Sequence, residues 1–405
     1  MEQAIENTYV TSSLLESGLQ KVLNTKCLIS KWSSKILSPE RGYLSMIIRI
    51  ELEWSSSEGS SLPQSVILKV PTTSKLEAVF EQLNTESTNR EQQTETSHNF
   101  APNLTFIHNT ECAFYQLQPA PHDFLKVPRL FFAKHIAEED PNGYLVMEDL
   151  SQIVADGHVP QALSLDAIFE VADFLAALHA YSLTNSGWQQ DSVLMFNGRR
   201  LSDRIRGNGE KVRNGLTNIA EHLPILQKYV DRTHDLYTCL DPDGIIWLPR
   251  EEDNLPIVIC HGDIWMNNIL WKKDKEGQPS DHVAAIIDWQ GSHHGAVTED
   301  LATLLIGSVS TEIRRNHLQD ILEHYYQRLQ EKLGTPPPFD MNKLYQSFRY
   351  SYQRSVFRSI ADYQVYITMC DGDDTKKQII LSRCQGFVED AFAILDGKEF
   401  GSYSH

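Results

Sequence analysis

The sequence predicts an α+β protein of two lobes, a small β-rich one followed by a larger helical one. Three observations predict it. The 405 residues exceed what one hydrophobic core usually organises. Alternating apolar and polar residues dominate before Leu150, and longer helical spacing takes over after it. With 41% hydrophobic and 22% charged residues, the chain has apolar material for two cores.

In chain order, SSLLESGLQKVL at 12–23 has helical leucine spacing behind a serine-rich start that can cap it. LSMIIRIELEW at 44–54 alternates as a strand, SSSEGSS turns, and SVILKV at 65–70 returns. Residues 84–99, NTESTNREQQTETSHN, are polar without period and predict a loop. A helix is expected near 107–117, then strands near 127–136 and 144–150 around the turn-prone EEDPNG. LDAIFEVADFLAALHAYSL at 165–183 is a helix with Ile168, Val171, Phe174, Leu175 and Leu178 on one face. The expected lobes are 1–147 and 157–405, with a hinge at 148–156.

A net charge of -18 excludes a duplex nucleic-acid binder, which needs clustered cations for phosphates. The six cysteines, at 27, 112, 239, 260, 370 and 384, lack C-x-x-C spacing and predict buried thiols rather than zinc clusters or disulfides. No apolar run reaches the roughly 18 residues of a membrane span. A cytoplasmic location is expected. The sequence sets no oligomeric state.

VICHGDIWMNNILW, at 258–271, carries the chemistry: Asp263 follows an apolar run, and Asn268 leads into another. VAAIID then ends at Asp288. A carboxylate to take a hydroxyl proton, with a carboxamide and a second carboxylate as hard ligands for magnesium, is the set phosphoryl transfer requires. The spacing matches the protein-kinase layout. Singly, each residue is more often a turn or cap residue than a catalytic one.

Lys69 in SVILKVP and Glu111 in HNTECAFY stand where a phosphate-anchoring lysine and its acidic partner belong. PERGYLS offers a phosphate flap with Gly42 and a Ser45 hydroxyl. Asp300 suits a helix N-terminus or a brace for the loop. His293 and His294 lack the i, i+4 arrangement of a zinc pair and read as loop residues. Trp265, Trp271 and Trp289 read as packing.

Through RGYLSMIIRIELEW, SVILKV, HNTECAFY, YLVMEDL, CHGDIWMNNILW, IIDWQGSHHG and EDLATLL, the chain resembles the CHK kinase-like, or ecdysteroid-kinase-like, family in its nematode-type branch, related to aminoglycoside phosphotransferases and choline kinases. The resemblance implies a bilobal protein-kinase-like fold using ATP and magnesium, with a catalytic loop at 261–268 and a metal-binding strand end at 288–290. It implies Asp263 as base, Asn268 and Asp288 on magnesium, Lys69 on phosphate with Glu111 as its partner, and Glu148 to Leu150 beside adenine. Gly262 replaces the arginine of H-R-D, Trp289-Gln290 follows Asp288, and no A-P-E segment appears, which favours a small-molecule acceptor.

The expected activity is phosphorylation of a small-molecule alcohol, steroid- or glycoside-like. The alternatives are a choline or amino-alcohol kinase and a nucleotide-binding pseudokinase or interaction module. Tyr345, Phe348, Tyr352 and Val356, at helical spacing within 342–360, are the expected acceptor wall, or else core.

Overall fold

The computed structural model describes residues 3–37, 44–55, 61–72, 100–155, 162–195, 209–238, 255–369, 373–398 and 400. Gly42, the 84–99 segment, Cys239 and Cys370 lie outside these. The fold is bilobal α+β. One unit comprises residues 1–123 and 127–153, and the other residues 124–126 and 154–405.

The first unit is built on an antiparallel five-stranded sheet, order β1-β2-β3-β5-β4. Its strands are β1 (Ile29–Ile36), β2 (Ser45–Trp54), β3 (Ser65–Pro71), β4 (Leu130–Lys134) and β5 (Tyr144–Glu148). Alternation sets its core: Ile48 and Ile50 of β2 face Leu68 and Val66 of β3 across the ladder, and Leu68 faces Val146 of β5. These pack with Leu15 and Leu19 of helix α1 (Ser12–Leu23) in one apolar cluster. Thr11 Oγ1 caps α1 by accepting from Leu14 N. Gly18 lets α1 approach β4, since a Cβ there would sit 2.3 Å from the Phe132 ring.

Strand β1 has no counterpart in the sequence reading. ISKWSSKI buries no residue fully, and Ile29 and Trp32, half-buried against the core, are three apart and make no alternating pattern to betray it. It is an edge strand, and Lys31 and Lys35 are the charges such edges carry against further pairing. Helix α2 (Phe100–Tyr115) begins earlier than the expected 107, and Pro102 is compatible with that start because it falls in the first turn, where no N–H is required. Strand β4 is shorter than 127–136 at both ends.

The second unit is helical around two small ribbons. Helix α3 (Leu165–Thr184), capped by Ser164, is the one described helix long and apolar enough to cross a membrane, and it is mostly buried inside the protein. It packs against α8 (Thr311–Leu333) and against two strands, β6 (Ile257–Cys260) and β8 (Pro279–Ile286). The ribbons pair β6 with β9 (His293–Ala296) and β7 (Ile269–Lys273) with β8. Short helices α4 (Gly209–His222), α5 (Gln227–Val230) and α6 (Thr233–Thr238) precede the ribbons, and α7 (Glu299–Ser308), α9 (Met341–Met369) and α10 (Asp374–Leu395) complete the unit. The fully buried Arg314 of α8 meets Asp390 of α10 through Nε and Nη2, each at 2.8 Å, and Tyr352 of α9 donates to the same carboxylate at 3.3 Å. One buried ion pair thus joins three helices.

Candidate active site

Strand alternation aims Lys69. Its neighbours Leu68 and Val70 join the α1-side core, so Lys69 points from the other face of β3. There its Nζ lies 2.8 Å from Glu111 Oε1 and 2.7 Å from Oε2, with the residues 6% and 1% exposed. Each charge requires the other, because a lone ion at such depth loses its hydration without replacement.

Ser45 begins β2 and is buried opposite Pro71. Glu148 closes β5 and accepts from Arg129 N at 3.1 Å, and the Leu150 carbonyl accepts from Ile153 N at 3.0 Å. Between them lies Asp149, which sequence reasoning passed over. Its Oδ2 accepts from Arg49 Nε at 2.7 Å and Ser65 Oγ at 2.6 Å, and its Oδ1 from Ser151 N at 2.9 Å. Burial pushes this carboxyl up, but the bonds from Ser65 and Ser151 and the Arg49 charge outweigh it and hold it below its ordinary value. Its signal was an aspartate closing an apolar strand.

In the second unit, β6 ends at Cys260 and the chain turns through His261-Gly262-Asp263. Gly262 has φ +78, and a Cβ on it would lie 2.2 Å from the Gly291 carbonyl oxygen. The turn therefore admits glycine alone, which is the physical reason an arginine is missing here. Asp300, at the start of α7, accepts from His261 N at 2.7 Å and Gly262 N at 2.9 Å, and thus braces the turn. Burial raises the Asp300 carboxyl above its ordinary value, against the opposing effect of those bonds. His261, fully buried, donates from Nε2 to the Ile287 carbonyl at 3.0 Å and accepts the Asp263 N–H on Nδ1 at 3.2 Å. Its positioning role was invisible in the sequence, since it depends on a strand 26 residues away.

The Asn268 amide donates to the Asp263 carbonyl at 2.9 Å and to Asp263 Oδ2 at 3.3 Å. With its nitrogen so engaged, the carboxamide oxygen is the atom it has to offer a cation. The Asn268 carbonyl accepts from Ile287 N at 2.9 Å, which brings Asn268 beside the backbone that leads into Asp288. Asp288 sits at φ 68, ψ 60, the left-handed region. Such a conformation costs an aspartate about 1–3 kcal/mol and persists only where its surroundings impose it. Asp263, Asn268 and Asp288 are thus drawn onto one β7–β8 hairpin and its preceding turn.

Trp271 and Trp289 are packing residues, and Trp289 donates to the Ile286 carbonyl at 3.1 Å. Trp265 is half-buried and stacks on the half-buried Tyr366, with ring centroids 5.5 Å apart. The expected acceptor wall is core instead: Phe348, Tyr352 and Val356 are 0% exposed, because α9 packs against α4, α7 and α10 and turns this stripe inward. Tyr345 alone of the four is half-buried. His293 and His294 are not loop residues but buried positions of β9.

A family model described as "Uncharacterized oxidoreductase dhs-27", DUF1679, matches residues 3–394. The chain belongs to this DUF1679 family. A Caenorhabditis elegans protein named "Uncharacterized oxidoreductase dhs-27" is 25% identical over 333 residues, 80% of this chain. The match spans only 38% of that protein's length. Another from the same organism, "Uncharacterized kinase-like protein D1044.1", is 24% identical over 65% of this DUF1679 chain and 70% of its own. Among solved structures, a choline kinase from Cryptosporidium parvum Iowa II superposes with TM-score 0.50 at 12% identity, over 91% of each chain. A putative aminoglycoside phosphotransferase from Ralstonia eutropha gives 0.48 at 13% identity, over 95% of this chain and 98% of its own. The kinase-like relative and the choline kinase superposition agree with the CHK kinase-like resemblance and with a kinase-like fold.

Proposed function

We propose that the chain is an ATP-dependent phosphotransferase whose acceptor is a hydroxyl of a small organic molecule. The observation that carries this reading is the Asp263–Asn268 bond beside Asp288. Asn268 orients the Asp263 carboxylate, the group that receives a hydroxyl proton as the acceptor oxygen attacks. The Asn268 carboxamide oxygen and the Asp288 carboxylate are hard donors and fit magnesium. Magnesium, when bound, neutralises charge on the transferring phosphoryl group. Lys69, kept in place by Glu111, anchors phosphate; Ser45, at the start of β2, helps to cover it, and Glu148 and Leu150 flank adenine.

Every described strand pairing is antiparallel, unlike the parallel sheet that carries nicotinamide sites, so an oxidoreductase reading has less support. For the acceptor we favour a flat lipophilic alcohol, steroid- or glycoside-like. The half-buried Trp265–Tyr366 stack follows Asp263 by two residues along the turn and offers an aromatic face.

The test is purified protein with magnesium and ATP, offered a panel of lipophilic alcohols and choline in competition, with Asp263→Asn as control. Saturable, Asp263-dependent transfer to a lipophilic alcohol is expected. Faster transfer to choline would overturn the acceptor choice. Nucleotide binding with no transfer to any alcohol would replace the enzyme reading with a binding module.

A further inference from the structure

Cys260, His293 and Glu299 are not among the residues assigned above, but they come together beside the same turn: Cys260 precedes His261, and Glu299 precedes Asp300. Cys260 ends β6 and His293 begins β9, directly opposite in the ladder, and Glu299 stands in the first turn of α7. One ligand atom from each lies within 4.8 Å of the other two, and the residues are 0%, 1% and 1% exposed. His293 Nδ1–H donates to the Gly291 carbonyl at 2.8 Å, the outer bond that fixes a metal-binding imidazole and directs Nε2 inward. Nε2 lies 2.8 Å from Glu299 Oε1. Glu299 Oε2 is buried with no hydrogen-bond partner, a loss of hydration that a bound cation would replace.

We propose that Cys260, His293 and Glu299 form a closed binding site for a zinc-class divalent cation, which joins β6, β9 and α7. A thiolate, an imidazole and a carboxylate select a borderline-soft ion, unlike the hard oxygens of Asn268 and Asp288. The Ala296 carbonyl, 3.5 Å from the Cys260 sulfur, is available as a further donor.

The charge balance permits the exchange. Without metal, a neutral thiol accompanies an imidazolium–carboxylate pair, and the cluster is neutral. With metal, thiolate and carboxylate balance the two positive charges on the ion, imidazole is neutral, and two protons leave: one from Cys260, one from His293. The buried charge is unchanged. Asp300 and Arg354, both buried, also act on Cys260, with opposite signs. The site does not depend on the kinase reading.

Full-length protein stripped with chelator should be titrated with zinc by calorimetry in buffers of different protonation enthalpy, and with cobalt(II) by absorbance. Expected are one equivalent of zinc, release of two protons, a thiolate-to-cobalt charge-transfer band and a raised thermal midpoint. Cys260→Ser should abolish the band, and Glu299→Gln should weaken zinc binding by at least the roughly 10–100-fold that loss of an outer partner costs. Asp288→Ala should retain the site. No stoichiometric zinc in the wild type, or a band unchanged in Cys260→Ser, would overturn the proposal. If Cys260→Ser does not fold, Glu299→Gln decides: affinity equal to wild type overturns it.

Discussion

The Lys69–Glu111 pair of the first unit and the Asp263–Asn268 turn of the second reach their geometry by opposite routes. The lysine and glutamate lie 42 residues apart, on a strand and a helix, and are deeply buried. The aspartate and asparagine are five residues apart, joined by a local bond, with Asp263 half-buried. The first arrangement is held by charge in a dry environment; the second is held by backbone, through Gly262, Asp300 and the β7–β8 ladder. Substitution should therefore damage stability in one place and chemistry in the other.

The largest separation is expected from Asp263→Asn. Turnover should fall by about 10²–10⁴, while the thermal midpoint stays at the wild-type value; a variant with wild-type turnover would remove Asp263 from the mechanism. Lys69→Met should behave in reverse, losing about 3–5 kcal/mol in urea unfolding, because it strands a buried carboxylate. Adding Glu111→Leu should restore much of that stability without restoring transfer. A double variant as unstable as the single one would show that packing, not charge, holds the first site.

Gly262→Ala tests the backbone side of the contrast. Its Cβ meets a carbonyl oxygen that the β6–β9 ribbon cannot easily move, and its φ is left-handed, so a loss of about 1–3 kcal/mol is expected. Transfer should be lost with it. Wild-type stability and turnover together would mean that the turn relaxes freely.

Acid stability is the least local of these effects, since it samples both units. Burial lowers His108 in the first unit to about 4 and His179 in the second to about 3, so both are neutral when folded. An unfolded histidine titrates near 6.5. Their contribution is therefore complete above about 6.5 and is lost as pH falls toward the folded values, by about 1.4 kcal/mol per pH unit for each group. Urea unfolding between pH 6.5 and about 5 measures the slope, and His108→Gln should remove roughly half of it. A slope unchanged in that variant would assign the acid sensitivity elsewhere.

The motif around Asp263 was legible because its geometry rests on short spacings. Asp-x-x-x-x-Asn, an apolar strand, and a closing aspartate place three side chains on one hairpin whatever surrounds them. Lys69 was legible for a similar reason, since alternation in SVILKV assigns it the face opposite Leu68. Strand β1 was not legible, because an exposed edge strand of serines and lysines has no alternating burial pattern to read. The acceptor wall was misread because spacing shows that Phe348, Tyr352 and Val356 share a face, and only the helices around α9 show that this face is interior.

By itself, then, the sequence determined the fold class and singled out the candidate site residues, whose signals are local periodicity and spacing. Tertiary structure alone decided that Asp300 braces the His261–Gly262 turn, that Asp149 gathers Arg49 and Ser65, and that Cys260, His293 and Glu299 meet. Those contacts join residues far apart in the chain, and no pattern within a segment records which distant segment will be folded against it.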